Sequence, residues 1–233
     1  MSQEEKPQFD AYAGSYDALH KGSIKTSGEE PAYFAEYKIK YIADSLGANA
    51  TKKRLSVLDF GCGIGNSLPH LARVFPNAEL RGADVSSESL QVARQSNPQV
   101  EFSLLTDGRI PLPDQSQDLV MAACVYHHIP PGERQLWTKE IRRVLKPGAT
   151  FFIFEHNPLN PLTRHAVRSC EFDEDAILLS RKESLSLLSQ AGMKDASIDY
   201  IVFFPRFLSL MRPFERHLGW LPLGAQYVAY ARA

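Results

Sequence analysis

Residues 59–66 carry the densest chemistry in the chain: an apolar run ends in Asp59, and Gly61, Cys62, Gly63, Gly65 and Asn66 follow. Glycines at this spacing let the backbone take positive φ and let a ligand approach the free N–H groups at a helix start. The acid selects the ligand. A dinucleotide loop wants a Gly or Ala five residues after its first glycine, and that position here is Asn66. A carboxylate at Asp59 would also repel a pyrophosphate. A ligand bearing an amine and a sulfonium tolerates the acid, so S-adenosyl-L-methionine (SAM) fits and a nicotinamide dinucleotide fits poorly. A second acid, Asp84, with Val85 after it, lies roughly 20 residues on, where a carboxylate can hydrogen-bond ribose hydroxyls. His127 and His156 complete the set. Histidine titrates near neutrality and can take a proton.

These residues need elements to hold them. Residues 55–60 read as a strand, the glycines as a tight turn and residues 67–74 as a helix. A second strand ends in Asp84, and Ser86 is a good N-cap for a helix over 87–95. Residues 100–105 form a third strand leading to Asp107-Gly108, a pair that also makes an ordinary turn. The continuous apolar run 119–124 suits a central parallel strand covered on both faces. Its carboxyl end delivers Cys124 and His127, and ligands bind at that end of open α/β sheets. A helix runs from the Pro130-Pro131 turn to about residue 145, and a fifth strand, 150–154, leads to Glu155-His156. Two prolines, Pro158 and Pro161, exclude a regular helix between them. Ser180-Arg181-Lys182-Glu183 is a capping box, and the helix it opens closes at Gly192. Strands are expected over 197–204 and 226–232. Upstream, Pro31 opens a helix that ends at Gly47, and Tyr12 and Tyr16 are spaced to share one helix face.

Taken together, residues 57–66 and 80–86 resemble the class I SAM-dependent methyltransferases, in the broad small-molecule group often called type 11. The likeness continues through Asp107-Gly108, Asp118-Leu119-Val120, Tyr126-His127-His128-Ile129-Pro130 and Leu145-Lys146-Pro147-Gly148, so it covers roughly the middle half of the chain. Glu155-His156-Asn157-Pro158 and Leu223-Gly224-Ala225-Gln226-Tyr227 look like a bacterial subgroup often associated with surface-glycan or specialised-metabolite pathways. The resemblance implies an α/β, Rossmann-like fold: a mainly parallel seven-stranded sheet, an antiparallel last strand and helices on both faces. It implies that Asp59, Gly61, Cys62, Gly63, Gly65 and Asn66 hold the methionine part of SAM, Asp84 and Val85 the ribose side, and Asp107 and Gly108 the adenine, with Cys124 lining the pocket. Residues 1–50 are expected to form a helical cap over a SAM-binding domain, 51–233, whose segments 156–180 and 205–224 shape the acceptor pocket.

Methyl transfer depends mostly on orientation. An oxygen acceptor, or a carbon beside a carbonyl, also needs a base; His127, His156 and Tyr16 are the candidates. Two alternatives stay open: a non-catalytic SAM-binding or scaffold protein, and a nicotinamide-dependent oxidoreductase. The Asn-Pro-Pro-Tyr motif of amino-N DNA methyltransferases and the Pro-Cys nucleophile of cytosine-C5 enzymes are absent.

Composition narrows the partners. The 233 residues, 44% hydrophobic, suffice for one sizeable core with modest additions. A net charge of −1 gives no basic field for a phosphate backbone, so a small-molecule acceptor is expected and nucleic acid is not. Three widely spaced cysteines and no signal-like N-terminus point to a cytoplasmic protein; a monomer or homodimer is expected. No metal-ligand spacing appears, and no metal is expected. Residues 205–224 interleave apolar and basic side chains and are expected to form an amphipathic helix. Its apolar face would pack on the domain or a second subunit, or else make peripheral contact with a membrane or lipid-linked acceptor.

Overall fold

The structure is a computed structural model that describes residues 28–47, 49–170 and 173–233. Seven strands form one sheet in the order β3-β2-β1-β4-β5-β7-β6. They are β1 (Ser56–Phe60), β2 (Glu79–Asp84), β3 (Glu101–Leu104), β4 (Gln117–Ala123), β5 (Leu145–His156), β6 (Lys194–Ile201) and β7 (Gln226–Arg232). β1 pairs in parallel with β2 and β4, and β7 lies antiparallel between β5 and β6. This is the expected class I methyltransferase fold. The helices are α1 (Pro31–Leu46), α2 (Leu68–Val74), α3 (Ser87–Ser96), α4 (Arg134–Val144), α5 (Pro161–Arg168) and α6 (Arg181–Gln190).

The central strands alternate side chains between two cores, as their period of two requires. Leu58, Val120, Ala122, Phe151 and Ile153 pack with Trp137, Ile141 and Val144 of α4 and with Leu187 and Leu188 of α6. Val57, Leu119, Met121, Phe152 and Phe154 face the other way, onto Phe34, Ile39 and Ile42 of α1 and Leu68 and Leu71 of α2. The parallel strands are therefore apolar on both faces and read as near-continuous apolar runs. The Ser86 and Ser180 side chains accept from the backbone N–H of Ser89 and Glu183 and start α3 and α6 where the capping residues put them.

Three segments depart from expectation. β5 begins at Leu145, so Lys146-Pro147-Gly148 lies inside the strand: Leu145 pairs with Gln117 across a register shift, and the Gly148 N–H donates to the Ala233 carbonyl. α5 was not anticipated. Pro161 does not break it because it sits at the first turn, and the Asn160 side chain caps it by accepting from Leu162 and Thr163. Residues 205–224 form no α-helix; Arg206–His217 is a run of 3-10 turns that kinks at Leu208 and contains Pro213. Phe207, Leu210, Phe214 and Trp220 stay exposed and do not pack into the core. What anchors this segment is polar. Glu215 is buried and accepts from the Phe203 and Phe204 N–H groups and from the Tyr37 hydroxyl.

One arginine ties the segments on the site side together. Arg134 is 1% exposed and donates to the Ile129 carbonyl (2.9 Å), to Glu183 Oε1 (2.5 Å) and to the Ile177 carbonyl (2.7 Å). Removing one partner of a buried ion pair costs about 3–5 kcal/mol. Glu183 is partly exposed, so Arg134→Ala is expected to cost about 3 kcal/mol in urea denaturation. An unchanged midpoint would show that the clamp adds nothing.

Candidate functional site

A cavity of about 700 Å³ opens at the carboxyl ends of β1, β2, β4 and β5 and is closed on one side by α1. The glycine loop forms its floor. Gly61 (φ 72°) and Gly63 (φ 52°) both have positive φ but do different work. A Cβ on Gly61 would lie 2.5 Å from the methyls of Val125, so Gly61 lets the loop pack against the end of β4. A Cβ on Gly63 would meet nothing within 4 Å, so Gly63 presents its backbone to open space in the cavity. Asp84 fixes the loop: Oδ2 accepts from the Gly63 N–H at 2.8 Å and Oδ1 from the Ser86 N–H at 2.9 Å.

Asp59 is 2% exposed, and its Oδ2 has no hydrogen-bond partner. Burial raises its carboxyl, the negative Asp84 adds to that, and the Lys38 ammonium lowers it in part; the result is about 7. A buried, unsatisfied acid facing a cavity is a ready site for a cation. Lys38 comes from α1 and is itself buried, with Nζ 3.5 Å from Cys124 Sγ. Burial alone would raise the Cys124 thiol, but Lys38 and His156 outweigh it and bring it to about 7. Cys62, buried beside Asp59 and Asp84, is held well above the ordinary thiol range.

The opposite wall is built on histidines. His127 is 1% exposed, with Nδ1 2.6 Å from Glu155 Oε2. Glu155 Oε1 accepts from the Val125 and Tyr126 N–H groups. Burial pushes the His127 imidazole down, but the Glu155 carboxylate outweighs it and lifts it to about 10. Burial raises the Glu155 carboxyl, yet His127 holds it below the usual range. Asp173 Oδ1 lies 3.5 Å from His127 Nε2 and 3.3 Å from His128 Nε2. The His156 ring centre is 5.1 Å from that of His127.

The fold thus brings Asp59, Gly61, Cys62, Gly63, Asn66, Asp84, Val85, Cys124, His127 and His156 to one cavity. Gly65 is not on its lining; its backbone approaches Asn97 and Leu68. Asp107 (φ 53°) is exposed in the turn bridging Thr106 and Arg109, and neither it nor Gly108 lines the cavity. Tyr16 lies outside the described residues. His128 and Asp173, which lie in the turn after β4 and in the segment 156–180, line the cavity as well, and so do three residues that sequence reasoning missed: Lys38, Trp137 and Gln226. For Lys38 a signal did exist, one lysine on the buried face of α1 beside Phe34, Ile39 and Ile42.

Comparison with known proteins places this geometry. The sequence profile of the family described as "Methyltransferase domain" matches residues 57–148. Trans-aconitate 2-methyltransferase of Azoarcus sp. (strain BH72) is 35% identical over 120 residues, 52% of this chain and 46% of that protein. Fatty-acid O-methyltransferase of Mycolicibacterium smegmatis is 30% identical over 116 residues, 49% of this chain and 42% of that protein. The chain spans about half the length of these curated relatives. A crystal structure of a SAM-dependent methyltransferase from Archaeoglobus fulgidus superposes with a TM-score of 0.71 at 14% identity, covering 94% of this chain and 100% of that one.

Proposed function

We propose that this chain, which carries a class I SAM-dependent methyltransferase domain at residues 57–148, transfers a methyl group from SAM to a small-molecule acceptor bound against the histidine wall. The observation that carries the reading is the buried Asp59 carboxyl beside the glycine loop, whose Oδ2 lacks a hydrogen-bond partner and whose ionised form suits the cationic amine of SAM. SAM, when bound, supplies a methyl group already activated on a positive sulfur. Asp84 keeps the loop in its binding conformation, and Val85, Leu105 and Trp137 offer an apolar wall for a flat base. His127 keeps its proton at neutral pH because Glu155 stabilises the imidazolium, so it orients rather than accepts. His156, part-exposed on the cavity wall, is placed to meet an acceptor bound there and is the proposed base. We extend the cofactor site to the adenine end through the Asp107-Gly108 turn, and assign residues 1–50 and segments 156–180 and 205–224 to closing the acceptor side. Among the described residues no helix is long and apolar enough to cross a membrane.

The test is calorimetric titration with SAM, S-adenosylhomocysteine and NAD, followed by product mass spectrometry over an acceptor panel. The panel would include trans-aconitate and fatty acids, the acceptors named for two relatives. One equivalent of SAM bound, none of NAD, and a gain of 14 Da on at least one acceptor are expected. SAM binding without turnover, together with inert His156→Ala and His156→Gln variants, would favour a non-catalytic SAM-binding protein.

A further inference from the structure

We propose that His127, His128 and Asp173 form a binding site for a single divalent transition-metal cation on the acceptor wall of the cavity. The three donor atoms come from two distant parts of the chain, the turn after β4 and the segment after α5, and no two lie more than 4.8 Å apart. The separations of the two histidine Nε2 atoms from Asp173 Oδ1, 3.3 and 3.5 Å, are close to the roughly 3.4 Å between tetrahedral ligands at about 2.1 Å from a metal.

A second, independent observation points the same way. His127 Nε2 and Asp173 Oδ1 are both buried and both lack a hydrogen-bond partner, although 3.5 Å separates them. At that distance they make no good hydrogen bond to each other. Buried polar atoms in folded proteins are nearly always satisfied, so two orphans aimed at one point mark the place of something that binds there.

The surroundings suit a metal as well. Glu155 accepts a hydrogen bond from His127 Nδ1 at 2.6 Å. This holds the ring with Nε2 directed at Asp173, and a metal bound there displaces the Nε2 proton of the imidazolium. A carboxylate behind a histidine ligand is the usual outer-shell arrangement, and it strengthens the imidazole as a donor. Two imidazoles and one carboxylate select zinc, iron, cobalt or nickel over calcium or magnesium, which prefer all-oxygen sites. All three residues line the cavity, so a cation held by three protein ligands keeps positions open toward its contents. The site stands on this geometry and does not depend on methyl transfer.

The experiment uses the tag-free full chain, stripped with a chelator and titrated with Co2+ as a spectroscopic probe and Zn2+ as competitor. One equivalent of Co2+ is expected to give visible d–d bands that Zn2+ abolishes. Adding acetohydroxamate, a bidentate oxygen ligand, should shift the bands, because positions remain open. Asp173→Asn and His128→Gln should each weaken Co2+ binding by more than the roughly 10–100-fold typical of losing an outer-shell partner. Glu155→Gln should fall within that range. Circular dichroism of each variant establishes that it is folded. Binding below a tenth of an equivalent, or equal binding in the folded Asp173→Asn and His128→Gln variants, would overturn the site. Bands that ignore acetohydroxamate would overturn its openness.

Discussion

Asp59→Asn is expected to weaken SAM binding by about 100-fold while stabilising the cofactor-free protein. The two effects share one cause. The wild-type carboxyl is buried, lacks a partner at Oδ2 and sits beside Asp84, which together move it from 3.8 to about 7. Each pKa unit is about 1.4 kcal/mol, so holding the carboxylate ionised costs the folded protein on the order of 4 kcal/mol. The sign follows from linkage. A carboxyl whose folded pKa lies above its unfolded value contributes most to stability below pH 3.8, and that contribution is lost as pH rises through about 7. Urea denaturation at pH 8 should therefore find the Asn variant more stable by roughly 2–4 kcal/mol, and the gain should fall to less than half by pH 5 and vanish only below about pH 3.8. For the cofactor the sign reverses. A cationic amine binds the ionised form, so wild-type SAM affinity should rise with pH up to about 7 and then level off. The variant should lose that dependence along with the roughly 2–3 kcal/mol of a charge-assisted hydrogen bond. An Asn variant that binds SAM normally would sink the assignment of Asp59 to the amine.

Glu155→Ala should be the most destabilising single change at the histidine wall. Its carboxylate is fully buried and satisfies three donors at once: the His127 imidazole and the Val125 and Tyr126 N–H groups. Truncation removes the nearer counter-charge of a buried imidazole and leaves two N–H groups without their acceptor. Breaking a buried pair in this way costs about 3–5 kcal/mol, and a chain of this size loses roughly 2–4 °C in Tm per kcal/mol. Scanning calorimetry in chelator should show Tm lower by roughly 10 °C. Glu155→Gln keeps an acceptor oxygen and should lose less than half as much. A fall of under 2 °C for the Ala variant would mean that the network does not hold the turn after β4.

The expected result of the Arg134 variant fits the same scheme. Arg134 and Glu155 fix the two ends of the turn that presents His127 and His128, one through the Ile129 carbonyl and one through the Val125 and Tyr126 N–H groups. The wall depends on buried polar groups whose partners lie on other elements, whereas the glycine loop is set largely by glycine and one carboxylate.

What could be read along the chain was whatever is written locally. The period of two and the apolar runs marked the strands, Ser86 and Ser180 marked helix starts, and the glycine loop with Asp59 and Asp84 marked one end of the cavity. Each of these signals lies within a few residues or within one β-turn-α unit, where backbone sterics and capping dominate. The Ala123↔Phe154 register of β4 and β5 was not legible. It decides that Glu155, rather than His156, faces back onto the residues after β4, and so separates a buried, charged His127 from a cavity-facing His156. Nor was the arrival of Lys38 beside Cys124, 86 positions away in sequence, or of Asp173 beside His127 and His128. The exposed place of Asp107 and the polar anchoring of residues 206–217 through Glu215 were equally hidden. The physical reason is common to all of them. Local structure follows from short-range sterics and hydrogen bonding, whereas the charge state and role of a buried side chain depend on partners that only the packed tertiary structure brings within a few ångströms.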